Sequence, residues 1–396
     1  MMEGADVKQK IINLLKYNKT IYVIYYCVMS FCLNLLKLFV KTDEKLILFN
    51  SFAGRKYDDS PRAIFEMMKQ DARFKEYKFV WAFHEPDKYV VEGAKKIKTD
   101  GFTYFKTALA ARIWVTNSSV ERGLSFRGKN TLYFNTWHGT PMKKMGSDVE
   151  LSNQSFRGKG QNKFDVMMSQ GHFETEVFSR SFNLPKEKFL EEGLPRNDVL
   201  ANYKDKKRAE IRNKIKVKPN QIVILYAPTF REYDKDENLG VVMTPPMDLI
   251  KWERELGDKY VLLMRAHYEV SKVMQIKENE FVRNMTDYPD LNDLYIAADI
   301  LISDYSSVFF DYAITGKPML HFCYDYDKYS TKRGMYFDIR EKVSGGAAED
   351  QVIELIKSID MAKESKKTAA FRDEYVNFYG SAAEAAVDYI AKNTMR

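Results

Sequence analysis

Cysteine is scarce: Cys27, Cys32 and Cys323 are the only three in 396 residues, and no two form a CxxC pair. That excludes a disulfide framework and a redox dithiol, and it fits a reducing, cytoplasmic setting. Histidine is nearly as sparse. With no HExxH and no Cys/His ligand cluster, neither a built-in metal site nor a cofactor is expected. A strong charge of either sign is also missing, since 62 basic residues offset 55 acidic ones to leave +7. That balance cannot by itself separate nucleic acid, lipid headgroups and phosphorylated substrates as partners. Long apolar runs are absent too. The uncharged stretch at residues 20–36, TIYVIYYCVMSFCLNLL, falls short of the about 20 apolar residues that usually cross a bilayer. No small-residue cleavage site follows it, as a signal peptide would require.

What surrounds this stretch suits a surface role. Lys8, Lys10, Lys16 and Lys19 precede it, Lys37 and Lys41 follow, and Tyr22, Tyr25 and Tyr26 cluster inside it. Lysine flanks with packed tyrosines fit a helix lying in the headgroup region. A buried core helix and a single anchoring span are the alternatives. Residues 1–43 are read as a membrane-associating helical segment.

The rest has the material for two cores, with 45% apolar residues, 26 Phe and 25 Tyr. Short apolar runs at 45–50, 77–83, 112–117, 131–136 and 165–170 read as buried strands, with helical patterns between them. A basic polar stretch at 203–219 reads as a helix plus linker. A second round follows at 221–228, 259–267, 298–304 and 317–323. Strands alternating with helices predict an α/β fold with parallel sheets covered on both faces. The expected plan is a first Rossmann-like domain at 44–202, a second at 220–370 and a helical tail at 371–396. Ligands of such folds bind at the carboxyl ends of the strands.

Several motifs fall at those ends. In DILISDYSSVFFDYAITGKP, residues 299–318, a strand runs into a helix that starts at Ser306 or Ser307. The two serines fit simple capping and equally fit a phosphate cradle. Asp311 lies one turn along the same face, fit for the crevice or for an ordinary ion pair. In NTWHGTPMKKMG, residues 135–146, His138 follows a strand directly, and Gly139 and Pro141 force a turn. Its imidazole is a candidate base for a hydroxyl that attacks phosphorus. Arg265 and His267 end another strand and face one side of it, where they could neutralise a diphosphate or pair with local carboxylates. YAPTFRE adds Thr229 and Arg231, and GLPRND adds Arg196; each is weak alone. His84, His172 and His321 are explained by packing or capping.

WHGTP, PRND, YAPTFR, RxH and SDYSSVFFDY occur here in one order, after SFAGRKYDDSPRAIF and before RGMYFDI. In this the sequence resembles the CDP-glycerol glycerophosphotransferase family of teichoic acid polymerases and primases, over nearly all of the chain after residue 44. The resemblance implies a GT-B fold whose second domain holds the nucleotide. It implies CDP-glycerol, or CDP-ribitol, as donor and a lipid-linked polymer as acceptor, at the cytoplasmic membrane face as a peripheral protein, with no nucleic-acid partner. Carried over by position, His138 resembles the family's base, and Arg265 and His267 its diphosphate-neutralising pair. Ser306, Ser307 and Asp311 match donor-phosphate and alditol positions. Gly139, Thr140, Pro141, Met142, Arg196, Pro228, Thr229 and Ala266 match other donor-contact positions. The expected reaction is glycerol phosphate transfer with release of CMP. Ribitol phosphate transfer, a GT-B glycosyltransferase using a nucleotide sugar and a non-catalytic membrane scaffold are the rivals.

Overall fold

The computed structural model describes residues 18–149, 163–229, 231, 235–236, 240–241, 247–266 and 276–395. Two all-parallel sheets organise it. The first has seven strands: β1 (Asp43–Asn50), β2 (Lys78–Phe83), β3 (Lys95–Lys98), β4 (Ala111–Thr116), β5 (Leu132–Asn135), β6 (Val166–Ser169) and β7 (Phe189–Glu191). Their order is β3-β2-β1-β4-β5-β6-β7. The second contains β8 (Ile222–Tyr226), then β11 (Tyr260–Met264), β12 (Val282–Asn284), β13 (Ile300–Ser303), β14 (Met319–Phe322) and β15 (Ser344–Gly346), ordered β12-β11-β8-β13-β14-β15. A two-residue antiparallel ladder, β9 (Lys235–Asp236) with β10 (Gly240–Val241), lies between them in sequence.

The central strands form where the sequence offers uninterrupted apolar runs, because both faces of these sheets are covered. Ile47, Leu48, Phe49, Trp81 and Trp114 are wholly buried in the first sheet, and Val223, Ile224, Leu225 and Leu262 in the second. Each sheet reverses its winding once, between β1 and β4 in the first and between β8 and β13 in the second. Such reversals open a crevice at the strands' carboxyl ends.

Two segments tie the domains together. The stretch expected as a linker contains the helix Asp205–Lys214, and Ile211, Ile215 and Val217 sink into the second domain's core. It is a packed element, because its apolar side has somewhere to go. The final helix, Ala382–Thr394, returns to the first domain, where Ala386, Val387 and Ile390 are buried beside Ile64 and Phe65. At the other end of the chain, the helix Lys19–Lys37 docks one face on the first domain. Leu33 is buried there, Asn34 Nδ2 donates to the Ser125 carbonyl at 2.7 Å, and Ser30 Oγ accepts from Ser125 N–H at 3.1 Å.

Candidate functional site

β5 ends at Asn135, whose buried side chain sets the turn that follows. Its Oδ1 accepts from Trp137 N–H at 2.7 Å and its Nδ2 donates to the Ser118 carbonyl at 2.8 Å. Trp137 is thereby held in the left-handed region at φ 49°. The indole stacks on the next ring, His138, with centroids 4.3 Å apart. His138 Nδ1 lies 2.7 Å from the main-chain carbonyl of Asn117, the residue that follows β4. A carbonyl oxygen can only accept, so Nδ1 carries the hydrogen and Nε2 of the neutral ring carries the lone pair. Nε2 has no hydrogen bond to another described residue. The residue keeps open surface, yet the cleft walls desolvate the ring and push its pKa below 6.5. The Asn117 carbonyl and Asp59 oppose this shift; Arg196 and Arg55 add to it. The imidazole is therefore mostly neutral at pH 7, as a proton acceptor must be.

The residues after His138 cross to the other domain. Gly139 sits at φ +147°, and a Cβ built there would come 2.9 Å from Ser307 Oγ and 3.1 Å from Ser307 Cβ. The first domain's histidine loop thus touches the second domain's serine turn, and only glycine permits that approach. Met142 inserts into the second domain's core, and its carbonyl accepts from Tyr336 N–H at 2.9 Å. Thr140 is wholly buried and faces inward, its Oγ1 accepting from Gln170 Nε2 at 2.7 Å. Pro141 is buried with it.

Arg196 is the electrostatic centre of the contact. Nη1 reaches both Asp59 oxygens at 3.2 and 3.0 Å, and Nη2 reaches both Asp311 oxygens at 3.1 and 2.9 Å. Burial alone would weaken this cation, but the two carboxylates reverse the shift and raise its pKa. Asn197 Nδ2 donates to Asp311 at 2.7 Å and to Gln170 at 3.2 Å, extending the network toward Thr140. Beneath it, Glu174 Oε2 accepts from Gln170 N–H at 2.8 Å, while Oε1 is buried with no partner. Burial lifts Glu174 to about 7.

On the second-domain side, β13 ends at Ser303, and Asp304 follows it. Asp304 accepts from Thr229 N–H at 2.8 Å and from Arg231 at 2.9 Å. Arg231 is 1% exposed and packs among Tyr305, Tyr324 and Tyr329, which makes it a structural cation of this domain. Thr229, beside Pro228, keeps a buried Oγ1 with no partner. Ser306 Oγ accepts weakly from Val308 N–H at 3.4 Å, and Ser307 caps the helix Val308–Ala313 without a side-chain bond. Both serines are partly exposed.

Arg265 follows β11 and donates through Nη1 to the Met285 carbonyl at 2.7 Å and to that of Tyr288. Burial lowers its pKa, without bringing a guanidinium into a range where it would discharge. Ala266 is buried beside it; His267 lies outside the described residues.

The structure therefore brings His138, Gly139, Arg196, Ser307 and Asp311 together at one junction. Asp59, Asn117, Gln170, Glu174 and Asn197 join them and are missed by sequence reasoning. A DD pair before a helix reads as a cap, and an Asn after a strand as a turn residue. Among the described residues, no group of three or more His, Cys, Asp or Glu could hold a metal ion.

The chain is 33% identical over 368 residues to the teichoic acid poly(glycerol phosphate) polymerase of Staphylococcus epidermidis, covering 88% of this chain and 51% of that protein. It thus spans about half the length of that relative. It is 31% identical to the polymerase of the same name from Bacillus spizizenii, over 93% of this chain and 95% of that protein. The solved structure of the wall teichoic acid polymerase TagF superposes with a TM-score of 0.83 at 31% identity, covering 96% of this chain and 97% of that one. Residues 32–392 match a family described as CDP-Glycerol:Poly(glycerophosphate) glycerophosphotransferase, and the chain belongs to that family.

Proposed function

We propose that this chain transfers glycerol phosphate from CDP-glycerol to a hydroxyl of a lipid-linked teichoic-acid-type acceptor. The acceptor oxygen attacks the phosphorus on the glycerol side of the diphosphate. The bond from that phosphorus to the bridging oxygen breaks, and CMP leaves with that oxygen. His138 Nε2 takes the acceptor proton as the new P–O bond forms. The observation that carries this reading is the carbonyl of Asn117 on His138 Nδ1, which fixes the tautomer and leaves Nε2 open in the cleft. Ser306, Ser307 and Arg265 line the donor side, with His267 assigned there by family position. Pre-placed donors and cations of this kind stabilise charge as it develops.

Relatives at 31–33% identity are named for glycerol phosphate, against 30% and 24% for two named for ribitol phosphate, and this supports glycerol as the alditol. Offering CDP-glycerol, CDP-ribitol and UDP-sugars side by side and scoring nucleotide release tests the donor. Release from CDP-glycerol alone is expected; release only from a UDP-sugar overturns the proposal.

The undocked face of the helix Lys19–Lys37 supports peripheral attachment at the cytoplasmic membrane face. Ile24, Val28 and Leu35 are exposed there, with Phe31 at 70% and Phe39, just beyond, at 79%. The helix is long and apolar enough to span a bilayer, but its polar bonds to Ser125 hold it along the protein surface. Phe31→Glu should reduce co-flotation with anionic vesicles; unchanged flotation would count against attachment through this face.

A further inference from the structure

The loop between β1 and the helix Asp59–Gln70 has an unusual backbone. Phe52, Ala53 and Gly54 all lie in the left-handed region, at φ 46°, 56° and 91°. Non-glycine residues rarely hold that conformation unless surrounding contacts impose it. Here they do. Phe52 N–H donates to Asn117 Oδ1 at 2.7 Å, Ala53 N–H to Ser118 Oγ at 2.9 Å, and the Ala53 carbonyl accepts from Arg122 at 3.0 Å. Gly54 is pressed against Thr99, where a Cβ would come within 2.7 Å. The Arg55 carbonyl accepts from the Tyr89 hydroxyl.

This rigid loop presents two cations. Arg55 and Lys56 are both exposed, and neither side chain has a hydrogen bond or ion pair with another described residue. Lys56 Nζ lies 5.7 Å above the Phe52 ring, and that ring is 5.8 Å from the ring of His138. Arg55 is close enough for its charge to act on the imidazole. Asn117 joins the two features, holding Phe52 with its side chain and His138 with its carbonyl. Most other cations at this junction are committed: Arg196 to two carboxylates, and Arg122 to Asp100. A loop fixed in this way carries two cations beside the base that form no ion pair with a described residue, although the Lys56 charge is felt by Asp58.

We infer that Arg55 and Lys56 form the acceptor's phosphodiester subsite, gripping the phosphate that lies just behind the hydroxyl presented to His138. This rests on the reading of His138 as the acceptor-side base. A growing polymer carries a phosphodiester next to its terminal alditol, so the nearest anion to the attacking oxygen would reach this loop. The subsite favours acceptors that already end in alditol phosphate over neutral sugar-ended ones.

Binding tests this independently of turnover. A dye-labelled oligomer of three glycerol phosphate units is titrated by fluorescence anisotropy against the full chain, the double variant Arg55→Ala/Lys56→Ala, and Lys75→Ala as a remote exposed control. Losing charge-assisted contacts to a phosphate should weaken the double variant by about tenfold or more. The control should match the parent, as should the affinity of the double variant for CDP-glycerol. Equal oligomer binding by the double variant and the parent, or an equal loss of CDP-glycerol affinity, overturns the inference. Nucleotide release measured on the parent reports separately on the proposed reaction.

Discussion

Asn117 carries the His138 imidazole on its main-chain carbonyl, 2.7 Å from Nδ1. Because the partner is main chain, no substitution at 117 can delete it, and the tautomer is set by the path of β4 rather than by another side chain. His138→Ala should therefore remove the base without disturbing its scaffold. CMP release should fall about 100- to 10,000-fold, with the melting temperature unchanged. An undiminished rate in a folded variant would remove the base assignment.

The same geometry fixes a pH dependence. Desolvation holds the His138 pKa below 6.5, so the ring loses its proton earlier than a free histidine as pH rises. The acidic limb of kcat/KM should accordingly turn over below pH 6.5 and reach a plateau by neutrality. A limb centred well above 6.5 would mean that another group is being titrated.

Arg196 bridges a carboxylate from each domain, and both Asp59 and Asp311 are buried around it. Arg196→Ala would leave two carboxylates facing each other without their cation. A loss of about 3–5 kcal/mol is expected, read as a large drop in melting temperature. Asp311→Asn keeps a hydrogen-bond acceptor for Arg196 and should cost much less. If the two variants melt alike, the charge pairing is not what holds the junction.

Gly139→Ala places a methyl group within 2.9 Å of Ser307 Oγ, at a backbone angle that side chains rarely adopt. The histidine loop and the serine turn must then separate. The KM for CDP-glycerol should rise about tenfold, roughly 1.4 kcal/mol, with little change in melting temperature. Steady-state kinetics check this directly, and an unchanged KM would show that this contact does not shape the donor site.

Glu174 offers a stability test. Its folded pKa is raised to about 7 from an ordinary 4.5, so the folded state holds a proton that the unfolded chain releases first. Stability contributed by this group is thus present below about pH 4.5 and is lost as pH rises to about 7, by up to about 3 kcal/mol. Glu174→Gln, which never ionises, should raise the melting temperature at pH 8 and leave it nearly unchanged at pH 5. A shift of equal size at both pH values would assign the effect to packing instead.

The sequence by itself determined the two-sheet α/β plan and most of the central strands, because strands buried on both faces must be written as continuous apolar runs. It also determined the family, through a fixed order of short motifs, and placed His138 directly after a strand. It did not determine the sheet edges. Within the two parallel sheets, the four strands that escaped it, β3, β7, β12 and β15, are the outermost ones. Their sequences, KKIK, FLE, VRN and SGG, are short, and all but FLE carry at most one apolar side chain, because an edge has one neighbour and an open side. Nor did it decide partnerships that span long stretches of chain. Arg196 meets Asp59 and Asp311, 137 and 115 residues away, and Asn117 lies 21 residues from His138. Local patterns record which face a residue occupies, whereas the partner across a cleft is chosen only when two sheets dock and burial forces each charge to find its complement.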